Sequence, residues 1–217
     1  MDLAVFRHNQ VSNTCIDKMD SSTASKKLTI MVSTSVYGVQ DLLDQIFAVL
    51  ESFGYEVWMS HKGTIPVNPG RSAFDNCLDA VEICDAFLGI ITGWYGSGMF
   101  SGDLGITHRE LLRAIELDKP RWFLVHHDVK VARLLLNQFR LNDDGTPRPL
   151  DFQKTAILSD IRVLDMCDAA TRNDLPLPER TGNWVQEYAN TQDALRFINT
   201  QFGEPDRLRA FLVSAIK

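Results

Sequence analysis

The run AFLGIIT at residues 86–92 decides the fold. It is almost continuously apolar, and short runs of that kind are strands buried on both faces, as in a parallel sheet. Reading onward from it, a glycine-rich segment at 93–105 leads into a helical pattern at 106–117, stopped by Lys119-Pro120. A second strand pattern follows at 121–125, then a helix at 129–139. Reading backward, residues 72–84 make a helix with Phe74, Cys77, Leu78 and Val81 on one side, preceded by a loop from Ser60 to Gly70. Residues 55–59 read as a strand, and Gly54 closes a helix over 39–53 whose apolar positions are Leu42, Leu43, Ile46, Phe47, Val49 and Leu50. Ahead of it stand the small polar residues Ser33-Thr34-Ser35 and a strand at 28–32. Alternating strand and helix predicts an α/β fold, a flavodoxin-like or Rossmann-like open parallel sheet.

Outside that alternation the signals weaken. Residues 1–26 read as a flexible N-terminal lead-in, 27–141 as the core, and 142–217 as a C-terminal helical extension packed on it within the same domain. Residues 142–149 are a turn-rich boundary, 161–166 are expected to be a fifth strand, and 192–202 and 206–216 two amphipathic helices.

A net charge of −6 argues against a broad basic face for nucleic acid or anionic membrane, though not against a small phosphate pocket. The cysteines at 15, 77, 84 and 167 form no CxxC pattern and the histidines no HExxH, so neither a structural zinc nor another metal is expected. No apolar run approaches the roughly 18 residues a membrane span needs. With charges mixed into the first ten residues and no disulfide pattern, a cytoplasmic protein without a secretory signal is expected.

In an open parallel sheet, ligands bind beyond the carboxyl ends of the strands where strand order reverses. Three segments are expected to meet there. The first holds Ser33, Thr34, Ser35, Tyr37 and Gly38, whose backbone N–H groups before a helix suit phosphate, although the loop is neither GxGxxG nor GxxxxGK[ST]. An ordinary hydroxyl helix cap explains them equally well. The second holds Trp58, for stacking on a base, with Ser60, His61 and Lys62; a core tryptophan among solvated neighbours is the plainer reading. The third is the loop at 93–105, thirteen residues with five glycines, in which Trp94 and Tyr95 offer faces to a flat ring and Gly96 allows close backbone approach.

Glu110 follows that loop in an early turn of the next helix, where the helix dipole favours a carboxylate. Cleaving an N-glycosidic bond develops an oxocarbenium-like sugar that one carboxylate can stabilise or capture. Asp103 then suits a ribose hydroxyl, and His108 suits the substrate or the orientation of Glu110. A glutamate early in a helix also favours folding on its own. Arg180 and Trp184 read as closing the site or forming an interface, or equally as an ion-paired arginine and a core tryptophan.

The stretch GITHRELLRAIELDKP at 105–120 resembles the E-L-G-x-A-x-x-x-G-K-P segment of nucleoside 2-deoxyribosyltransferases, in which the glutamate is the nucleophile. Asp103-Leu-Gly105 resembles that family's D-x-G element with one extra residue before Glu110, and Leu112 replaces its glycine. The same place resembles the W-C-x-x-E-L helix of Toll/interleukin-1 receptor (TIR) domains, matched by Thr107-His108-Arg109-Glu110-Leu111 without the Trp-Cys pair. From 26 to 217 the chain resembles an uncharacterised bacterial family regarded as TIR-like or deoxyribosyltransferase-like and also found fused to signalling ATPases. That resemblance implies cleavage of NAD, as substrate and not as cofactor, or of a related nucleotide, in antiphage or stress signalling that yields an ADP-ribose-type product. It implies a homo-oligomer and a separate defence effector or sensor as partners. Glu110 would be catalytic, with Asp103 and His108 supporting the ribose. The rival expectations are a nucleoside or nucleotide N-glycosidase or deoxyribosyltransferase, and a non-catalytic module that senses a nucleotide or assembles with itself.

Overall fold

A computed structural model of the chain describes residues 26–96 and 104–215. Strands β1 (Thr29–Thr34), β2 (Glu56–Trp58), β3 (Ala86–Ile91), β4 (Arg121–His126) and β5 (Val185–Tyr188) form one sheet, parallel throughout, in the order β2-β1-β3-β4-β5. The chain is therefore an α/β open parallel sheet of flavodoxin-like strand order. Every residue of β3 is buried, as its apolar run requires. A Cβ at Gly89 would stand 2.7 Å from the Phe123 ring, so glycine is what lets Phe123 of β4 and Phe87 of β3 pack edge-on, 6.3 Å apart, across the sheet.

Two apolar layers sandwich the strands. On one face α1 (Gln40–Ser52) buries Leu42, Leu43, Ile46 and Leu50, and is joined by α6 (Thr191–Phe202) and by Leu208 of α7 (Pro205–Ala215). On the other lie α2 (Ala73–Ile83), α3 (Ile106–Glu116), α4 (His127–Arg140) and α5 (Arg162–Thr171), around Val81, Leu111, Val129 and Leu164. Each such fully buried aliphatic side chain stabilises the fold by roughly 1.5–3 kcal/mol. Ser72 caps α2 by accepting from the Asp75 N–H at 3.0 Å. No side chain caps α1, so a hydroxyl cap from the Ser33-Thr34-Ser35 segment is not what those residues provide.

The C-terminal part departs from expectation. Residues 161–166 open α5 and are not a strand: Val163, Leu164, Met166, Cys167 and Ala170 are buried at helical spacing. That period shows only when the window runs past Met166. Arg140 of α4, buried, meets Asp165 at 2.6 Å and also pairs with Asp168, fixing α4 against α5. The fifth strand comes later, at β5, on the sheet edge, where only Tyr188 is fully buried. The two expected helices are α6 and α7. On α4, Leu134, Leu135 and Phe139 face outward. Among the described residues no helix is long and apolar enough to cross a membrane.

Candidate functional site

β1 and β3 are neighbours whose connections run to opposite faces, so the crevice between their carboxyl ends is the switch point of the sheet. Ser33, paired in register with Gly89 near the end of β1, supplies a hydroxyl there. The α3 helix starts at Ile106 beside the same edge and turns Glu110 toward that hydroxyl. Ser33 Oγ donates to Glu110 Oε2 at 2.5 Å. From below, Cys77 of α2 hydrogen-bonds the same carboxyl. Among the described residues no cation forms an ion pair with it. Burial leaves Glu110 5% exposed and pushes its carboxyl up to about 7, although the Ser33 and Cys77 hydrogen bonds pull the other way. Desolvation thus outweighs the helix dipole expected to favour the charge. Burial first, then the neighbouring Glu110 charge, lifts the Cys77 thiol to about 12, so it stays protonated.

Glu110 lines a cavity of about 250 Å³ with Ser33, Thr34, Ser35, Tyr37, Ser60, Cys77 and Gly96. The loop after β3 is pinned over the exit of β1. Ser35 Oγ donates to the Trp94 carbonyl at 2.5 Å and meets Thr92 Oγ1 at 3.0 Å. Gly96, at φ +91°, places its backbone where a Cβ would approach Ser35 at 3.4 Å, and Gly38, at φ +77°, lies against the Trp94 indole nitrogen. A second lobe of about 350 Å³ opens beyond Tyr37 and Gly96, walled by Trp94, Lys154, Ser159 and Asp160. Lys154 Nζ stands 4.6 Å above the Trp94 ring, and Tyr37 and Trp94 are tilted rings 6.3 Å apart. The segment carrying Ser159 is stitched to the loop: the Tyr95 N–H donates to Ser159 Oγ, and the Ser159 N–H to the Gly93 carbonyl, both at 2.8 Å.

Tyr95 also lines the outer lobe, while several other expected site residues are engaged elsewhere. Trp58 is buried in the core with its indole N–H donating to Glu56 at 2.9 Å, and it does not line the cavity. Tyr95 is 3% exposed, one face covered by the Arg162 guanidinium at 4.5 Å. Its oxygen accepts from the Gly105 N–H, which leaves the hydroxyl proton for His108 Nδ1 at 2.8 Å. His108 is therefore turned to Tyr95 and not to Glu110, and burial holds its pKa below the usual histidine range. Asp103 lies outside the described residues. Lys62 pairs with Asp44. Arg180 holds the Leu175 carbonyl, and Trp184 is 68% exposed beside β5, so it is no core tryptophan.

Sequence reasoning missed Cys77, read as an apolar helix position, and the Lys154–Asp160 segment, whose composition carries no signal. Among the described residues no group of three or more His, Cys, Asp or Glu side chains is placed to hold a metal. A larger cavity, about 470 Å³, opens at the amino edge of the sheet. Size alone does not make it the reaction site, because the unpaired acid and the switch point lie at the carboxyl edge.

A family model described as a domain of unknown function, DUF4062, matches residues 29–148. None of the curated proteins matches the chain.

Proposed function

Since the chain belongs to the DUF4062 family, and the matched residues include both Ser33 and Glu110, we propose that it is a TIR-like enzyme that cleaves the N-glycosidic bond of NAD. The observation that carries this reading is an acid without an ion-pair partner among the described residues, seated in a cavity at the switch point. A carboxyl that burial lifts to about 7 is near half ionised at neutral pH, and its carboxylate form is basic enough to take a proton from water.

The C1′–N bond breaks with its electron pair leaving on nicotinamide, a neutral base once detached from the positive pyridinium. Glu110 as carboxylate stabilises or captures the sugar cation. Water then adds to C1′, displacing the Glu110 oxygen where a bond had formed; its proton passes to the Glu110 carboxylate and on to solvent, and ADP-ribose leaves. Ser33 and Cys77 hold the carboxylate in place at the cavity wall. Tyr37 and Trp94 supply flat faces in the outer lobe, with the Lys154 ammonium beside them for a phosphate. Outward-facing Leu134, Leu135 and Phe139 support self-assembly as part of the same reading.

The size of the inner cavity favours one rival, cleavage of a nucleoside or nucleotide, since about 250 Å³ suits a sugar and little more. Incubation with NAD and with deoxynucleosides, followed by chromatography of the released base, separates the two. Nicotinamide release that disappears in Glu110→Gln is the expected result. Free base from deoxynucleosides with NAD intact selects the rival. Equal turnover by wild type and Glu110→Gln removes Glu110 from either mechanism.

A further inference from the structure

We propose that the amino-edge cavity is a second ligand site, for a small molecule joining a flat ring to an anionic group. At about 470 Å³ it has the dimensions of a small-molecule pocket. Residues 118–122, 181, 182, 201, 207, 208 and 211 line it, at the end of the strands opposite Glu110. Strands of six residues at about 3.3 Å each put roughly 20 Å between the two cavities. This cavity is therefore separate from the one that holds Glu110.

Two walls define the ligand. One is cationic. Lys119, Arg121 and Arg207 line it against a single carboxylate, Asp118, which pairs with Arg121 at 2.9 Å. Lys119 Nζ donates to the carbonyls of Glu82 and Cys84, and Arg207 Nη2 to that of Thr200. Neither forms an ion pair among the described residues. A chain of net charge −6 has thus gathered three cations at one recess. Arg121 is held rigidly as well: its side chain is 2% exposed, bonded to Asp118, to the Lys119 carbonyl and to the Thr181 carbonyl. Its buried Nε has no partner, a cost the fold retains. Gly182, at φ +61°, lies against the guanidinium so closely that a Cβ would stand 2.6 Å from Cζ. The other wall is apolar: Trp122, Leu208 and Phe211, the two rings 6.3 Å apart and tilted by 60°. With Arg121 balanced by Asp118, Lys119 and Arg207 leave the recess a net positive charge in the same cavity as two aromatic rings, which suits an anionic group on a planar body.

The test is calorimetric titration of the full chain with 1-naphthyl phosphate, with 1-naphthol and inorganic phosphate as half-ligands. Arg207 and Phe211 are both exposed, so Arg207→Gln and Phe211→Ala leave the fold intact, checked by an unchanged melting temperature. One equivalent of 1-naphthyl phosphate is expected to bind. Each half-ligand and each variant should weaken binding at least about tenfold, the loss of one charge-assisted or ring contact. Glu110→Gln should leave it unchanged. Absence of saturable binding, binding indifferent to both variants, or binding abolished by Glu110→Gln would each overturn the proposal.

Discussion

Replacing Glu110 by Gln should make the protein more stable at alkaline pH and leave it no better at acid pH. The carboxyl has no ion-pair partner among the described residues, and burial raises it from the ordinary 4.5 to about 7 in the fold. Below pH 4.5 it is protonated whether the chain is folded or not, and contributes no pH dependence. As pH rises from there the unfolded chain loses the proton while the folded one keeps it, so stability falls until about pH 7 and stays lowered beyond. The gap corresponds to about 3 kcal/mol of destabilisation above neutrality. A neutral Gln of the same shape removes that cost. It still accepts from Ser33, but its amide must find an acceptor beside Cys77, a loss of about 1 kcal/mol. The expected net gain is about 2 kcal/mol at pH 8, a rise of roughly 4–8 °C in melting temperature, against a loss of about 1 kcal/mol at pH 4. Urea melts followed by tryptophan fluorescence at several pH values give the difference directly, and subtracting the variant cancels every other titrating group. A difference constant between pH 4 and 8, or a variant weaker at pH 8, would refute the reasoning by showing that the fold holds Glu110 ionised.

If the ionised carboxylate does the chemistry, base release should rise with pH through a midpoint near 7, and Ser33→Ala, by removing a hydrogen bond that favours the charge, should move that midpoint upward. Gly93→Ala should lower stability by more than about 2 kcal/mol in urea melts, because its Cβ would fall 1.8 Å from the Ile157 carbonyl oxygen, backbone that cannot yield without moving the loop. Trp94→Ala should raise KM for the nucleotide several-fold with kcat little changed, since the ring lies in the outer lobe and not beside Glu110.

The sheet was legible where burial alone fixes the pattern. β3, apolar from Ala86 to Ile91, admits one reading, and the α1 spacing of Leu42, Leu43, Ile46 and Leu50 another. It was illegible where a strand lies at an edge. β5 has one fully buried residue in four and offers no period, while the opening of α5 imitates alternation over six residues. The place of the cavity followed from topology: strand order reverses between β1 and β3, and Ser33 and Glu110 both stand at that edge. Its partners did not follow. Cys77 reaches the carboxyl only because α2 packs on α3, and Tyr95 claims His108 through a contact made by the loop's own path. Nothing in a linear pattern marks residues joined that way.

The stitching of Ser159 to the loop after β3 divides the recess between two stretches of chain. The acid, its serine and Trp94 lie within the stretch that the family model matches; Lys154 and Asp160 come from beyond it. The outer wall is thus shared, with Tyr37 and Gly96 joining Trp94 from the matched stretch. A change at Lys154 or Asp160 would alter that wall alone and leave the contact between Ser33 and Glu110 in place.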